Sequence, residues 1–161
     1  MPDLAVRLVR EHVPELDPVL LSETDPVGLP VLRSRIARQF AEEGTPTTPE
    51  QIIVTHGAQA ALHLVVGELV SPGDAVLTEE VTWPGLSDAV RQRGGIVHGL
   101  PMGPDGLDIV ALEAAMARLR PSLVAINPHN QNPTGTRLPP AARLRVAELA
   151  AEYGVTVMED R

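Results

Sequence analysis

The strongest constraint on the fold is a strand–loop–helix–strand pattern between residues 123 and 160. The apolar run Leu123 to Ile126 predicts a short buried strand, and helical spacing predicts a helix over Pro139 to Tyr153 that ends at Gly154. Val155 to Met158 predicts a second buried strand. In such a unit both strands end at the same edge of a parallel sheet, where open α/β folds bind ligands.

Polar residues follow both of these strands and are the first candidates for a binding site. The loop Asn127 to Gly135 follows the first strand, and Glu159 and Asp160 follow the second. We therefore expect Asn132 and Asp160 to lie near each other at the sheet edge. An amide and a carboxylate placed there can hold one flat, polar ligand.

The preceding chain alternates in the same way from Gln51 onward. Strands are predicted at Ile52 to Thr55, Ala75 to Thr78 and Ile96 to His98, and helices at Gly57 to Val70, Trp83 to Arg93 and Asp108 to Leu119. Five short strands separated by helices predict an α/β fold with three layers, in which helices cover both faces of a mainly parallel sheet. Two further helices are predicted over residues 3–13 and Leu32 to Glu43.

Composition excludes several classes of protein. Apolar residues make up 43% of the 161, which is typical of a globular chain. The net charge of -8 without a basic stripe argues against direct binding of nucleic acid by this segment. The absence of cysteine excludes disulfides and thiolate metal sites, and no apolar run approaches the ~18 residues of a membrane span. Met1-Pro2-Asp3 lacks a signal-peptide pattern, so we expect a cytoplasmic protein without a membrane partner.

Two further candidates lie at strand-to-helix junctions. In Thr55-His56-Gly57-Ala58-Gln59 the first N–H groups of a helix form an anion site suited to phosphate, although an ordinary turn also explains the glycine. Trp83, the only tryptophan, follows a strand at the ligand edge and could stack on a flat ring or simply pack under a loop.

The remaining polar candidates also have ordinary explanations. Asn132 could be a turn former and Asp160 a helix cap, whereas a carboxylate opposite a ring nitrogen would keep that nitrogen protonated. The five histidines show no metal-ligand spacing, so no metal site is predicted, and only His129 lies in the site loop.

Together these elements resemble the fold type I, pyridoxal-phosphate (PLP)-dependent aminotransferases of class I. The matching motifs occur in order over roughly residues 25–160: Asp25-Pro26-Val27-Gly28, Leu32-Arg33, Thr55 to Leu62, Pro72-Gly73-Asp74, Trp83-Pro84-Gly85, Asn132 to Gly135 and Glu159-Asp160. The stretch Pro128 to Gly135, with Gly-Ala-Gln at residues 57–59, is most similar to MocR-type regulators. These GntR-family transcription factors carry an aminotransferase-like domain behind a winged helix-turn-helix.

The resemblance implies a role for each candidate residue. Ala58 and Gln59 would hold the PLP phosphate at the helix start, and Trp83 would stack on the pyridine ring. Asn132 would bond the phenolic oxygen of the ring, and Asp160 would pair with the pyridinium nitrogen, which preserves the electron sink of the cofactor.

Several positions depart from the family pattern. Thr24 stands where the family often has Tyr, Ala60 where a second Gln is common, and Arg161 where many regulators have a second Asp followed by Tyr. The first two weaken the phosphate and dimer-contact assignments, and the third leaves the oxygen-binding Tyr without a position.

The largest departure is the absence of lysine, since all 13 basic residues are arginine. In the family, the lysine that holds the cofactor covalently, the arginine for the substrate carboxylate and the small C-terminal domain all follow the position of Asp160. We therefore expect a piece of a longer, homodimeric protein. An N-terminal helical segment would occupy residues 1–50, and an incomplete PLP-binding large domain would occupy residues 51–161. Because the family's later strands lie between its first strand and the others, we expect Ile52 to Thr55 to be poorly paired, displaced or paired with another molecule.

Three functions are open for the parent protein. In a MocR-type regulator, PLP and an amino-acid or amine effector would control DNA binding by a domain outside this segment. A free-standing aminotransferase would move an amino group between an amino acid and a 2-oxo acid. An interaction or dimerisation piece would use the fold without the cofactor. The lysine-free chain alone is expected to catalyse no transamination.

Overall fold

A computed structural model describes Arg7 and residues 25–161 of the chain. Apart from Arg7, which is helical, the helix predicted over residues 3–13 lies outside the described residues, as does Thr24. The chain divides into two compact units, Met1–Gly57 and Ala58–Arg161. No helix of the described part is long and apolar enough to cross a membrane.

The first unit contains helix α1, Pro30–Glu42, and a short 3-10 helix, Pro49–Gln51. Pro30 starts α1 because its fixed φ suits the first helical position and its missing N–H is not needed there. Arg33 of α1 donates from Nε to the carbonyl oxygens of Pro49 and Ile52, each at 3.0 Å. This guanidinium therefore ties α1 to the segment that leads into the second unit.

The prediction of a strand over Ile52 to Thr55 is wrong. The segment is extended at Ile52, but it pairs with no strand among residues 25–161. Within that range its one backbone bond outside the neighbouring turn runs from the Val54 N–H to the Val27 carbonyl at 2.9 Å. This result agrees with the expectation that the segment would be poorly paired. An apolar run becomes a strand only when a partner strand satisfies its backbone groups.

The second unit alternates strands and helices. In chain order its elements are α2 (Ala58–Leu69), β1 (Ala75–Glu79), α3 (Pro84–Gln92), β2 (Ile96–Leu100), β3 (Met102–Gly103), β4 (Gly106–Leu107), α4 (Ile109–Leu119), β5 (Leu123–Ile126), α5 (Pro140–Tyr153) and β6 (Thr156–Glu159). The predicted helices and the other four predicted strands of this region are present, with ends that differ by one or two residues. Gly154 ends α5 in the left-handed conformation at φ 66°, as its sequence position predicts.

The main sheet has four parallel strands in the order β2-β1-β5-β6. Its register pairs Leu77 with Val124 and Val124 with Val157, so the carboxyl ends of all four strands lie along one edge. The two-residue strands β3 and β4 form a separate antiparallel hairpin that was not predicted.

Alternate residues of the buried strands face two different cores. On one face, the helices α4 and α5 pack on the strands through Leu77, Leu112, Met116, Val124, Ile126 and Leu149. On the other face, α2 and α3 pack through Val66, Val70, Val76, Val90, Leu123 and Ala125. The unit is therefore a three-layer α/β/α sandwich, which confirms the predicted fold class.

Candidate functional site

A cavity of about 420 Å³ lies at the carboxyl edge of the sheet. Its lining includes all five predicted site residues: Ala58, Gln59, Trp83, Asn132 and Asp160. Aliphatic side chains of α2 and Met158 complete much of the wall. The volume lies within the ~300–1,000 Å³ typical of small-molecule sites. The fold thus brings together residues that are up to 102 positions apart in the sequence.

The amino end of α2 supplies the positive end of the site. Ala58 and Gln59 are the first two residues of this helix, and the backbone N–H groups of a first helical turn have no partner within the helix. These N–H groups and the helix dipole favour a negatively charged group such as phosphate. Gly57, just before the helix, has φ 93°, which a glycine adopts without strain.

Trp83 is held by a hydrogen bond to Gln59. Its indole Nε1–H donates to Gln59 Oε1 at 3.0 Å, although the Trp83 side chain is 51% exposed. Gly85 makes room for this pair, because a Cβ at that position would overlap Trp83 Nε1 and lie 2.5 Å from Gln59 Oε1. The side chain of Gln59 therefore orients the aromatic ring, a role that its position at the helix start did not predict.

His63 extends this contact by one turn of α2. Its Nδ1 lies 3.2 Å from Gln59 Nε2 and 2.9 Å from the Gln59 carbonyl oxygen. Depending on its tautomer, His63 either accepts from the Gln59 amide or donates to the Gln59 carbonyl. Sequence reasoning missed this residue, although its position four residues after Gln59 places both on the same helix face.

Asn132 and Asp160 present unpaired polar groups to the cavity. The Asp160 backbone N–H donates to the Ile126 carbonyl at 2.9 Å, which fixes the chain just beyond β6. Within residues 25–161, neither the Asn132 amide nor the Asp160 carboxylate makes a hydrogen bond or ion pair to another protein group. Both are therefore free to bind a ligand that carries a hydrogen-bond acceptor and a cationic N–H.

Glu79 is a buried carboxylate close to this site that the sequence reasoning missed. It is 3% exposed, and its Oε1 accepts the Asn127 N–H at 2.8 Å. Burial raises the pKa of Glu79, and the nearby negative charge of Asp160 acts in the same direction, whereas the hydrogen bond from Asn127 opposes the shift. Its place at the end of β1 is the same signal that marked Asp160 at the end of β6.

His129 is the one histidine in the loop that follows β5, but it does not line the cavity. Desolvation lowers the pKa of His129, and the positive charges of Arg143, Arg137 and Arg161 lower it further. These effects favour the uncharged form of the imidazole, whereas the charge of Glu159 acts in the opposite direction.

The amino-acid sequence of this chain matches a known protein family and several of its members. Residues 9–161 match the family Aminotransferase class I and II. The 2-aminoadipate transaminase of Thermus thermophilus is 37% identical over 123 residues, which cover 76% of this chain and 31% of that protein. The HTH-type transcriptional regulator YdcR of Escherichia coli is 32% identical over 141 residues, covering 86% and 30%. The probable rhizopine catabolism regulatory protein MocR of Rhizobium meliloti is 31% identical over 134 residues, covering 83% and 26%.

The chain thus spans about three tenths of the length of these relatives. Among solved structures, LysN, the α-aminoadipate aminotransferase of Thermus thermophilus, was crystallised with N-(5'-phosphopyridoxyl)-L-leucine. It matches with a TM-score of 0.81 at 32% identity, covering 99% of this chain and 39% of that chain.

The fold is therefore the one that the fold type I aminotransferases share. The chain belongs to the aminotransferase class I and II family, whose cofactor is pyridoxal phosphate. The resemblance found in the sequence motifs is confirmed, including the similarity to MocR-type regulators.

Proposed function

We propose that the cavity binds PLP non-covalently through the five residues that line it. The observation that carries the proposal is that one cavity combines a helix amino end, an indole ring, an amide and a carboxylate. PLP is a flat pyridine with a phosphate, a phenolic oxygen and a ring nitrogen, so each of its polar groups has a matching partner here. When bound, PLP supplies an electron sink that stabilises negative charge on an attached amino acid.

Each residue has a defined task in this proposal. The N–H groups of Ala58 and Gln59 bind the phosphate, and Gln59 also holds the indole of Trp83 against one face of the ring. The amide N–H of Asn132 donates to the phenolic oxygen. The carboxylate of Asp160 accepts from the ring nitrogen and keeps it protonated, because a nearby negative charge favours the cationic form.

A fluorescence titration tests this proposal directly. Trp83 is the only tryptophan in the chain, so quenching of its emission by added PLP reports binding at this cavity. Loss of the charged partner in Asp160→Asn removes a charge-assisted hydrogen bond of about 1.5–3 kcal/mol, so the dissociation constant should rise roughly 10- to 100-fold. The control Asp105→Asn makes the same chemical change in an exposed turn and should leave the affinity unchanged.

Two outcomes of that titration would overturn the proposal. The first is the absence of saturable quenching by PLP in the wild-type chain. The second is equal affinity of the wild-type chain and Asp160→Asn.

For the parent protein we propose a MocR-type transcriptional regulator in which this fold senses an amino-acid or amine effector together with PLP. Similarity to YdcR and MocR supports this proposal. The net charge of -8 is consistent with DNA contacts made by another domain, the winged helix-turn-helix of the GntR type. Such a regulator would act as a homodimer in the cytoplasm.

The second candidate is a free-standing aminotransferase, and the 37% identity to 2-aminoadipate transaminase favours it. In this case the parent would transfer an amino group between an amino acid and a 2-oxo acid. Both candidates need a lysine from outside this lysine-free chain to hold PLP covalently. The chain by itself should therefore show no turnover with PLP, an amino acid and a 2-oxo acid.

The sequence of the gene on both sides of this segment distinguishes the two candidates. A winged helix upstream and a lysine downstream of Asp160 support the regulator, and the full-length product should then bind its own promoter DNA in a PLP-dependent way. A downstream lysine without a DNA-binding domain supports the aminotransferase. The absence of any such lysine would leave the third alternative, a fold used for interaction or dimerisation without cofactor chemistry.

A further inference from the structure

Gln131 is the buried residue in an otherwise exposed part of the site loop. It is 2% exposed, whereas its neighbours Asn130 and Asn132 are exposed. Burying a primary amide is costly unless its polar atoms are hydrogen-bonded. The structure meets that requirement with partners from two different loops.

The first set of partners lies within the loop that follows β5. Gln131 Oε1 accepts the Thr134 N–H at 3.1 Å and the Thr134 hydroxyl at 2.6 Å. Its backbone N–H donates to the Thr136 carbonyl at 2.9 Å, and its own carbonyl accepts the Gly135 N–H. Gln131 therefore fixes the conformation of the loop that carries Asn132.

The second partner lies in the loop that follows β1. Gln131 Nε2 donates to the carbonyl oxygen of Val81, which is 50 residues away in the sequence. Val81 precedes Trp83 by two residues, and Asn132 directly follows Gln131. One buried amide thus links the two loops that place the indole and the amide of the cavity.

We propose that Gln131 is a positioning residue that sets the distance between Trp83 and Asn132. The two sides of the cavity then keep one fixed separation. The link is a feature of the two loops themselves. Its consequence for PLP affinity rests on the proposed function.

Two variants separate this role from general stability. Gln131→Glu keeps the size and the acceptor that binds Thr134 but replaces the N–H donor to Val81. Gln131→Met is neutral and of similar length, and it has neither group. The control Gln92→Glu makes the same change at an exposed position at the end of α3.

The first measurement is the fluorescence anisotropy of Trp83 without PLP. Both Gln131 variants should show lower anisotropy than the wild type, because the indole gains local mobility, while Gln92→Glu should not differ. Acidification should restore the anisotropy of Gln131→Glu alone, because burial favours the protonated carboxyl, which again donates to the Val81 carbonyl. A residue that only stabilises the fold would not produce this selective recovery.

The second measurement is the dissociation constant for PLP, which should rise about three- to tenfold in both variants, the factor expected for one neutral hydrogen bond. Wild-type anisotropy in both folded variants would overturn the proposal. Failure of both variants to fold would also overturn it, because Gln131 would then be required by the fold as a whole. If the wild-type chain does not bind PLP but the anisotropy results hold, the proposed function fails and the link between the loops stands.

Discussion

Gly85→Ala is expected to disturb the site while leaving the fold intact. Gly85 lies in the first turn of α3, and an added Cβ would overlap Trp83 Nε1 and lie 2.5 Å from Gln59 Oε1. Because ordinary contacts begin near 3.4 Å, the Trp83 indole and the Gln59 amide must each withdraw by about 1 Å. The hydrogen bond that orients Trp83 cannot survive that movement.

The effects on stability nearly cancel. Replacement of glycine by alanine in a helix stabilises it by roughly 0.5–1 kcal/mol, and loss of the partly exposed hydrogen bond costs about 0.5–1.5 kcal/mol. We therefore expect a change in the free energy of unfolding within about 1 kcal/mol of zero, or a few degrees in Tm. Loss of the aromatic stacking contact, about 0.5–1.5 kcal/mol, should weaken PLP binding about three- to tenfold.

Gly67→Ala in the interior of α2 is the matched control, because a Cβ there meets nothing within 4 Å. It should stabilise the chain by up to about 1 kcal/mol and leave the emission of Trp83 unchanged. The assay combines urea unfolding with the emission spectrum of Trp83 and a PLP titration. Equal stability, emission and affinity of Gly85→Ala and Gly67→Ala would show that Gly85 is not needed to accommodate the pair of Trp83 and Gln59.

Three further substitutions, one of them with a control, test the stability of the two units. Burial raises the pKa of Glu79 above 4.5, so its contribution to stability is present at low pH and is lost as the pH rises through the folded-state pKa. Urea unfolding at several pH values should therefore show that the stability of Glu79→Gln depends less on pH than that of the wild type. Gly28→Ala should destabilise the chain by about 1–3 kcal/mol or more, because Gly28 has φ 101° and an added Cβ would lie 2.6 Å from Val54 Cβ. The control Gly44→Ala, at φ 90° with no atom within 4 Å of the added Cβ, should show only the cost of the backbone strain. Asp108→Ala removes the acceptor for two N–H groups of α4 and should cost about 1 kcal/mol in chemical denaturation; no change would show that the cap is dispensable.

The sequence predicted the second unit well because its signals are local. The strand β5 is a fully buried apolar run, four of the five residues of β1 are buried, and Gly154 stops α5 through its own φ. The order of such elements is compatible with few α/β arrangements, because the crossover connections between parallel strands are almost always right-handed. Trp83, Asn132 and Asp160 then share one edge because parallel strands all end there, whereas Ala58 and Gln59 line the same cavity from the start of α2.

The prediction of a strand at Ile52 to Thr55 failed because strand formation depends on contacts that are not local. A strand depends on a partner that the segment itself does not encode, and in this structure the Val54 N–H bonds to the turn residue Val27 instead. The β3–β4 hairpin was missed because its strands have only two residues each. Its turn sequence Pro104-Asp105-Gly106 was a usable signal.

The supporting residues of the site were also missed, because their roles depend on tertiary contacts. Gln59 at a helix start predicts a phosphate contact, but only the folded chain places its Oε1 next to the Trp83 indole. Gln131 has no distinctive spacing, and the position of Glu79 at the end of a strand did not show that its side chain is buried. Their burial becomes visible only when the loops after β1 and β5 are brought side by side.

A crystal structure of the chain soaked with PLP would show whether and how the cavity binds the cofactor. We expect the phosphate at the N–H groups of Ala58 and Gln59 and the ring against the indole of Trp83. We also expect the phenolic oxygen at Asn132 and the ring nitrogen within hydrogen-bond distance of the Asp160 carboxylate. PLP bound in another place, or in this cavity with its ring nitrogen turned away from Asp160, would disprove the proposed binding mode.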